Sequence, residues 1–415
     1  MDSQIDLQQP VLDGGIRSIN FFNGRLLSAN DLTREQSASR EADRRLGKAV
    51  GEGVAYGLEV LRAGNPNNQS PAVTVEAGLA VNRRGQTLML EASTDIALVR
   101  TAGATESSQG FAECAPLQTG AYVSGAGVYL LTIAPAQQTE GRAITNGMNP
   151  ATATCNSDTI VSCVQFRLIQ IDPPITSAEM QDQSHLRNLI AYKCFGTEET
   201  NKFITDPFGK ELEQWGLLDG LRPNQLTDCE VPLAVLSWSE QGIDFIDMWS
   251  VRRQLAQSSS GKWPPFACDS ELATAEARLL QFRDHLDDLR GTNSAQLRAL
   301  DVFNYLPPVG LLPVTDATST AFNVTKFFQG VTVRQAVFID VAQVEQLVRS
   351  SLLYGPIDLS EHEVIWLYRV RENVLGKNAS APTHPFIIFA NGHLPPMGVG
   401  RFNLGHWNYS NYAIL

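Results

Sequence analysis

Phe21-Phe22-Asn23-Gly24-Arg25-Leu26-Leu27-Ser28-Ala29-Asn30-Asp31-Leu32 is the stretch from which the rest of this chain is read. An aromatic pair and a Gly turn lead into Ser28, whose hydroxyl suits a helix N-cap. Asp31 follows three residues on, beside the first-turn amides. The spacing predicts a helix over 28–50, charged along most of its length by Arg34, Glu35, Arg40, Glu41, Asp43, Arg44, Arg45 and Lys48. Its apolar residues are sparse. Ala42, Leu46, Ala49 and Val50 share one face, and Glu41 and Arg45 pair across one turn. Such a helix is expected to cover a sheet on a narrow stripe and leave its remaining surface to solvent or a neighbouring subunit.

Outward from this helix the pattern turns to β. Gly53-Val54-Ala55-Tyr56-Gly57-Leu58-Glu59-Val60 reads as one strand, and 73–91 as a strand pair broken at Arg83-Arg84-Gly85. Val73, Val75, Ala77 and Leu79 alternate with Thr74, Glu76 and Gly78, the period of a strand with one buried face. Residues 128–133 and 166–171 are further strands, the first apolar enough to be central. Segments 101–119 and 140–162, rich in Ala, Thr, Gly, Ser and Asn, read as long contact loops. A short helix is expected over 184–195, a short amphipathic helix with turns over 207–226, and a hairpin from 231–238 and 242–249 that closes the first domain.

Ser258-Ser259-Ser260-Gly261 opens a linker. Beyond it Leu272, Leu279 and Leu286 repeat every seven residues, with Ala275, Phe282 and Leu289 three positions on. An a/d seam of this kind needs a partner. The candidates are a helix of the same chain, over 294–303 or 28–50, or another subunit, which makes these six residues interface candidates. Strands are expected over 335–339, 363–370 and 385–390, with a helix over 341–351. The aromatic tail holding Trp407, Tyr409 and Tyr412 is expected to dock. The fold class is therefore α+β: two β-rich, sandwich-like domains (1–255 and 305–415) joined by a helical segment (256–304).

These phrases resemble, in order, baseplate-associated cage or fibre-type structural proteins of phage-tail-like extracellular contractile injection systems. The carrying positions are Phe21, Phe22, Gly24, Arg25 and Asp31 at the start, then Gly53, Gly57 and Gly78. Arg252 and Arg253 follow in Asp247-Met248-Trp249 and Val251-Arg252-Arg253. The second half supplies Leu306-Pro307-Pro308-Val309-Gly310-Leu311-Leu312-Pro313, Phe327-Phe328-Gln329-Gly330 and Pro356-Ile357-Asp358-Leu359. Membership implies a structural subunit that assembles with other baseplate, sheath or spike subunits, and with copies of itself, at the baseplate periphery, cage or fibre attachment. The inserts at 101–119 and 140–162 depart from that pattern.

Composition agrees with a folded globular chain. Of 415 residues, 43% are hydrophobic and 18% charged, and the formal charge of −12 opposes nucleic acid and anionic lipid as partners. The opening residues lack the basic flank and apolar run of a secretory signal, so synthesis without export through that route, in the cytoplasm, is expected. No stretch is apolar for long enough to span a bilayer. Six cysteines without a Cys-x-x-Cys pair read as mainly reduced structural thiols, with Cys155 and Cys163 close enough in sequence to pair under oxidising conditions. Ser258-Ser259-Ser260-Gly261-Lys262-Trp263 lacks both the earlier Gly and the hydroxyl residue of a phosphate loop. His384, His393 and His406 lack metal-ligand spacing, and Asp244, Asp247, Glu361 and Glu363 read as surface charge. No catalytic residue, cofactor or metal is expected. The competing readings are a receptor- or glycan-binding fibre protein that stacks sugars on the aromatic tail, and an envelope-polymer hydrolase.

Overall fold

The computed structural model describes residues 10–63, 72–98, 126–144, 155–196, 216–222, 224–239, 242–256, 269–293, 296–313, 322–352, 354–361, 364–371 and 386–391. Insert 101–119, the linker at 258–261, His384, His393, His406, Glu363 and the aromatic tail lie outside these residues. The architecture is α+β.

Helix α1 spans Ala29–Val50 and begins as its sequence dictates. The Ser28 hydroxyl accepts from the Asp31 amide at 3.2 Å, and the Asp31 carboxylate accepts from the Ser28 amide at 3.0 Å. Six short strands follow: β1 (Gly53–Gly57), β2 (Val60–Arg62), β3 (Ala72–Val75), β4 (Gly78–Val81), β5 (Thr87–Leu90) and β6 (Thr94–Ala97). They form two three-stranded sheets, ordered β1-β4-β5 and β2-β3-β6. The single strand expected over 53–60 is thus two strands in different sheets. Gly57 (φ 61°) and Leu58 (φ 57°) are both left-handed and turn the chain from one sheet into the other. A second crossing at Glu76-Ala77 interrupts the alternation expected through Leu79, and Ala80 takes the buried position instead.

The main sheet is antiparallel, ordered β10-β7-β11-β12, from β7 (Gly127–Glu140), β10 (Thr159–Ile171), β11 (Val231–Ser239) and β12 (Gly242–Asp247). Tyr129, Leu131 and Ile133 of β7 pack with Leu58, Val60, Val73 and Leu88 of the small sheets. Val128 and Leu130 point the other way, onto Leu186, Ile190 and Cys194 of α3 (Gln183–Phe195). The continuous apolar run of β7 is therefore explained by burial on both faces. Short helices α2 (Ser177–Gln181) and α4 (Leu217–Leu221) flank α3.

The segment 140–162 is not one loop. β7 pairs with β10 from Val128↔Ile171 to Glu140↔Thr159, and β8 (Ala143–Ile144) pairs with β9 (Cys155–Asn156) beyond. β11 stops pairing at Ile133, two residues short of Pro135, which has no N–H to donate. The distal half of β7 and β10 thus continues as a two-stranded ribbon. Its alternating Ile160, Ser162 and Val164 carried β character that the surrounding small residues masked. Cys163 on this ribbon is free, as is buried Cys194, whereas Cys229 is disulfide-bonded. The Cys155–Cys163 pair that oxidising conditions would allow is not formed, and Cys229 departs from the reduced state expected of most of the thiols.

The second half contains α5 (Asp269–Asn293), a 3-10 turn (Ala299–Asp301), β13 (Tyr305–Leu306), β14 (Val309–Pro313), α6 (Val324–Phe327), β15 (Val333–Ile339), α7 (Val341–Leu352), β16 (Ile357–Asp358), β17 (Ile365–Val370) and β18 (Phe386–Asn391). Its sheet runs β14-β18-β17-β15, with β15 and β17 parallel and α7 as their crossover. Helices pack against this sheet where a second sheet was expected.

The heptad stripe of α5 is largely filled from within the chain. Phe282 and Leu286 are 1% and 3% exposed, packed with Phe303, Leu312, Ile387 and Phe389. Ala275 is buried and Leu279 half-buried against α7 and β14, Leu289 is partly buried, and Leu272 is exposed. The partner is a sheet and the 299–303 turn rather than α1 or a second seam helix. The reason lies in Phe282, whose ring meets Phe389 edge-on at 5.4 Å above Gly310. A Cβ at Gly310 would sit 2.4 Å from the Phe389 ring.

Candidate interaction surface

The N-terminal motif residues build one corner. Gly24 (φ 91°) makes the turn that precedes the helix. Arg25 donates to Asp31 at 2.8 Å and to the Asn20 carbonyl at 2.9 Å, and its guanidinium lies 6.0 Å from the Phe22 ring. The Ser28 hydroxyl and amide, helped by Arg25, hold the Asp31 carboxyl down to about 2. The corner is built by its polar atoms. Phe21 and Phe22 remain exposed, and Leu26 is 93% exposed.

α1 presents the reverse of an ordinary amphipathic surface. Its polar side engages the segment before it: the Ile19 amide donates to Glu35 at 2.9 Å, and Arg45 donates to the Gly14 carbonyl. Ala38 is the only buried residue of the helix. The stripe expected to cover a sheet faces outward instead, with Leu46 and Val50 at 67% and 54% exposure. The helix approaches the body closely at a glycine pair, where a Cβ on Gly47 would lie 2.1 Å from the Gly85 carbonyl oxygen. Val11, Leu12, Ile16 and Leu32 add to the apolar surface on this arm. Large apolar side chains left exposed in this number on one arm mark a candidate interaction surface.

The remaining motif residues meet at the sheet crossing. Arg252 donates to the carbonyls of Gly57 and Leu58, the two left-handed residues, with the Leu58 bond at 2.8 Å. Its guanidinium also lies 5.5 Å from the Trp249 ring. Arg253 donates to the carbonyls of Trp249, Arg252 and Ser250, and its own carbonyl accepts from the Val54 amide at 2.9 Å. Burial pushes the Arg253 guanidinium down to about 10. Glycine is required on the facing strand. Cβ atoms at Gly53, Gly57 and Gly78 would approach the carbonyl oxygens of Arg253, Ala77 and Tyr56 to 2.8, 1.9 and 2.4 Å. These residues shape and lock the crossing, and none of them offers a nucleophile.

A charged junction between α3, β12 and α5 was not foreseen. Arg187 donates to Asp247 at 2.9 Å, and to Asp284 and Asp288 at 2.7 Å each. Gln281 and the Ser250 amide donate to Asp247 at 2.8 and 2.9 Å. Asp247 is 1% exposed, so the surface assignment holds for Asp244 and fails for Asp247. The available signal was parity: the two aspartates differ by three on a strand and face opposite ways. Among the described residues no group of His, Cys, Asp and Glu is placed to hold a metal, and no helix is long and apolar enough to cross a membrane.

No family model matches the chain, and no curated protein matches it in sequence. Among solved structures it is similar to a chain of the type VI secretion system TssK-TssF-TssG baseplate subcomplex. That match covers 67% of this chain and 73% of the other, at 12% identity and a TM-score of 0.25. A crystal structure of TssK matches over 50% of this chain and 53% of its own, at 9% identity and a TM-score of 0.20. At these scores the likeness carries no argument about fold or role.

Proposed function

We propose that this chain is a non-enzymatic structural subunit of a contractile injection particle, seated at the baseplate periphery, cage or fibre attachment. It acts by joining other baseplate, sheath or spike subunits and further copies of itself. One observation carries the reading: the 10–50 arm turns its apolar residues away from its own body while its polar side is satisfied at home. A partner that covers Phe22, Leu26, Leu46 and Val50 removes surface whose burial is worth about 1.5–3 kcal/mol per large side chain. The resemblance of the motif phrases supplies the kind of particle, and the structural work those residues do at the corner and the crossing is consistent with it.

The test is co-expression with sheath, tube and baseplate subunits, comparing the wild-type chain with Leu46→Glu/Val50→Glu. Both positions are exposed, so the variant is expected to keep the wild-type melting temperature as an isolated chain and to be missing from purified particles. Normal incorporation of the variant, or a wild-type chain that joins no particle, defeats the proposal.

A further inference from the structure

Arg278 of α5 is 7% exposed, yet among the described residues it makes no ion pair and no hydrogen bond, and its Nε is buried without an acceptor. It lies instead against a ring, with the guanidinium 5.6 Å from the centroid of Phe195. A second buried cation, Arg253, lies 4.8 Å from the same centroid. Arg253 donates to three carbonyls, whereas Arg278 has nothing comparable. A guanidinium carries five N–H donors, and an unpaired buried charge is costly enough that proteins normally pair it. An apolar side chain would fill the same volume at lower cost.

The missing counter-charge has a place to sit. Arg278 lines a small cavity of about 30 Å³, together with Asn188, Tyr192, Gln281 and Tyr305. The walls are fixed. Tyr192 and Tyr305 stack 3.6 Å apart and nearly parallel, and Asn188 is tied to the Tyr305 backbone in both directions at 2.9 Å. Nearby acids are already engaged: Asp247 serves Arg187, Gln281 and Ser250. A water fits that volume but leaves the Arg278 charge uncompensated.

We propose that this cavity is a binding site for one small monovalent anion, chloride or a carboxylate head the size of formate, held by Arg278. Burial, with Arg253 close by, holds the Arg278 guanidinium down to about 10, the direction an unneutralised site produces. The volume beside the guanidinium suits a group of this size.

The experiment uses the full chain dialysed into sodium gluconate, whose bulky, strongly hydrated anion serves as the reference. Chloride or formate is then exchanged for gluconate at constant ionic strength while thermal unfolding is followed. Binding to the native state alone raises the melting temperature by several degrees, saturably, because only the folded chain holds the site. Sulfate and citrate, matched for ionic strength, are expected to give no saturable rise. Arg278→Met is expected to lose the response and to melt in gluconate no lower than the wild type. A wild-type chain equally stable in gluconate and chloride overturns the proposal. So does a variant with an unchanged chloride response, or one that melts much lower than the wild type in gluconate. That last result assigns the counter-charge to a carboxylate of the protein itself. If Arg278→Met does not fold, the size series on the wild-type chain still decides.

Discussion

Replacing Arg187 with Met tests the charged junction directly. The change removes the cation but leaves Asp247, whose side chain is 2% exposed, inside the protein. Breaking a buried ion pair by removing one partner costs about 3–5 kcal/mol, because the other charge is stranded. Gln281 and the Ser250 amide still donate to Asp247, so the low end, about 3 kcal/mol, is expected. Asp284 and Asp288 add little, since their side chains are 39% and 71% exposed. The effect also has a pH signature. In the wild type burial pushes Asp247 upward, but the charge and hydrogen bond of Arg187, with Gln281 and Ser250, outweigh it and hold the carboxyl below the usual range. The stabilisation is therefore present above the unfolded carboxylate pKa near 4 and is lost as pH falls through the lower folded value. Without Arg187, burial dominates and raises the folded pKa, so the variant is penalised most at pH 7 and least near pH 4. Urea unfolding followed by tryptophan fluorescence, with midpoint and slope compared at pH 7 and pH 4.5, reads both quantities. A penalty under about 1 kcal/mol at pH 7, or one that grows on acidification, refutes the assignment of Arg187–Asp247 as a buried structural pair.

Other substitutions have equally definite outcomes. Gly57→Ala forces a Cβ to within 1.9 Å of the Ala77 oxygen and should abolish soluble expression, whereas Gly24→Ala, with φ 91° and open space around it, should bear only the backbone strain of about 1–3 kcal/mol and stay folded with a lower melting temperature. His285 is buried and its pKa is pushed down to about 3, by burial first and by Arg187 second, so stability should fall as pH drops from 6.5 toward 3. His285→Leu should flatten that part of the pH–stability curve in urea titrations. Native alkylation at pH 8 should label exposed Cys163 within minutes. It should spare Cys194, whose thiol burial pushes up to about 12, while non-reducing peptide mapping finds Cys229 in a disulfide.

What could be read from the residues divides by range. The start of α1 was legible because Ser28 and Asp31 solve a problem within one turn of backbone. β12, β17, β18 and α7 were legible from period and bounding turns. The outward face of α1 was not, because a stripe states which residues lie together and not what lies opposite them. The Arg187–Asp247 pair spans 60 residues of sequence and leaves no local trace. The strand break at Leu58 was hidden for another reason: a leucine with positive φ is held there by Arg252, far along the chain. Gly57 and Arg252 were both singled out as motif positions, and only the fold shows that they are two halves of one contact.

The order of the C-terminal sheet has a consequence for how the protein is made. β18, the last strand among the described residues, is inserted between β14 and β17. A nascent chain on the ribosome therefore has β14 finished at Pro313 but cannot pair it until Phe386 emerges. That interval, roughly 70 residues, takes about 4–15 s at ordinary elongation rates. During it the facing edges of β14 and β17 are unpaired, and Phe282 lacks Phe389 as its ring partner. The N-terminal sheets face no such delay, because each is complete by Asp247. Translation that stalls between 371 and 385 would release a chain with one finished half and one half offering two open strand edges, the surface on which misassembly between neighbouring polysomal chains begins.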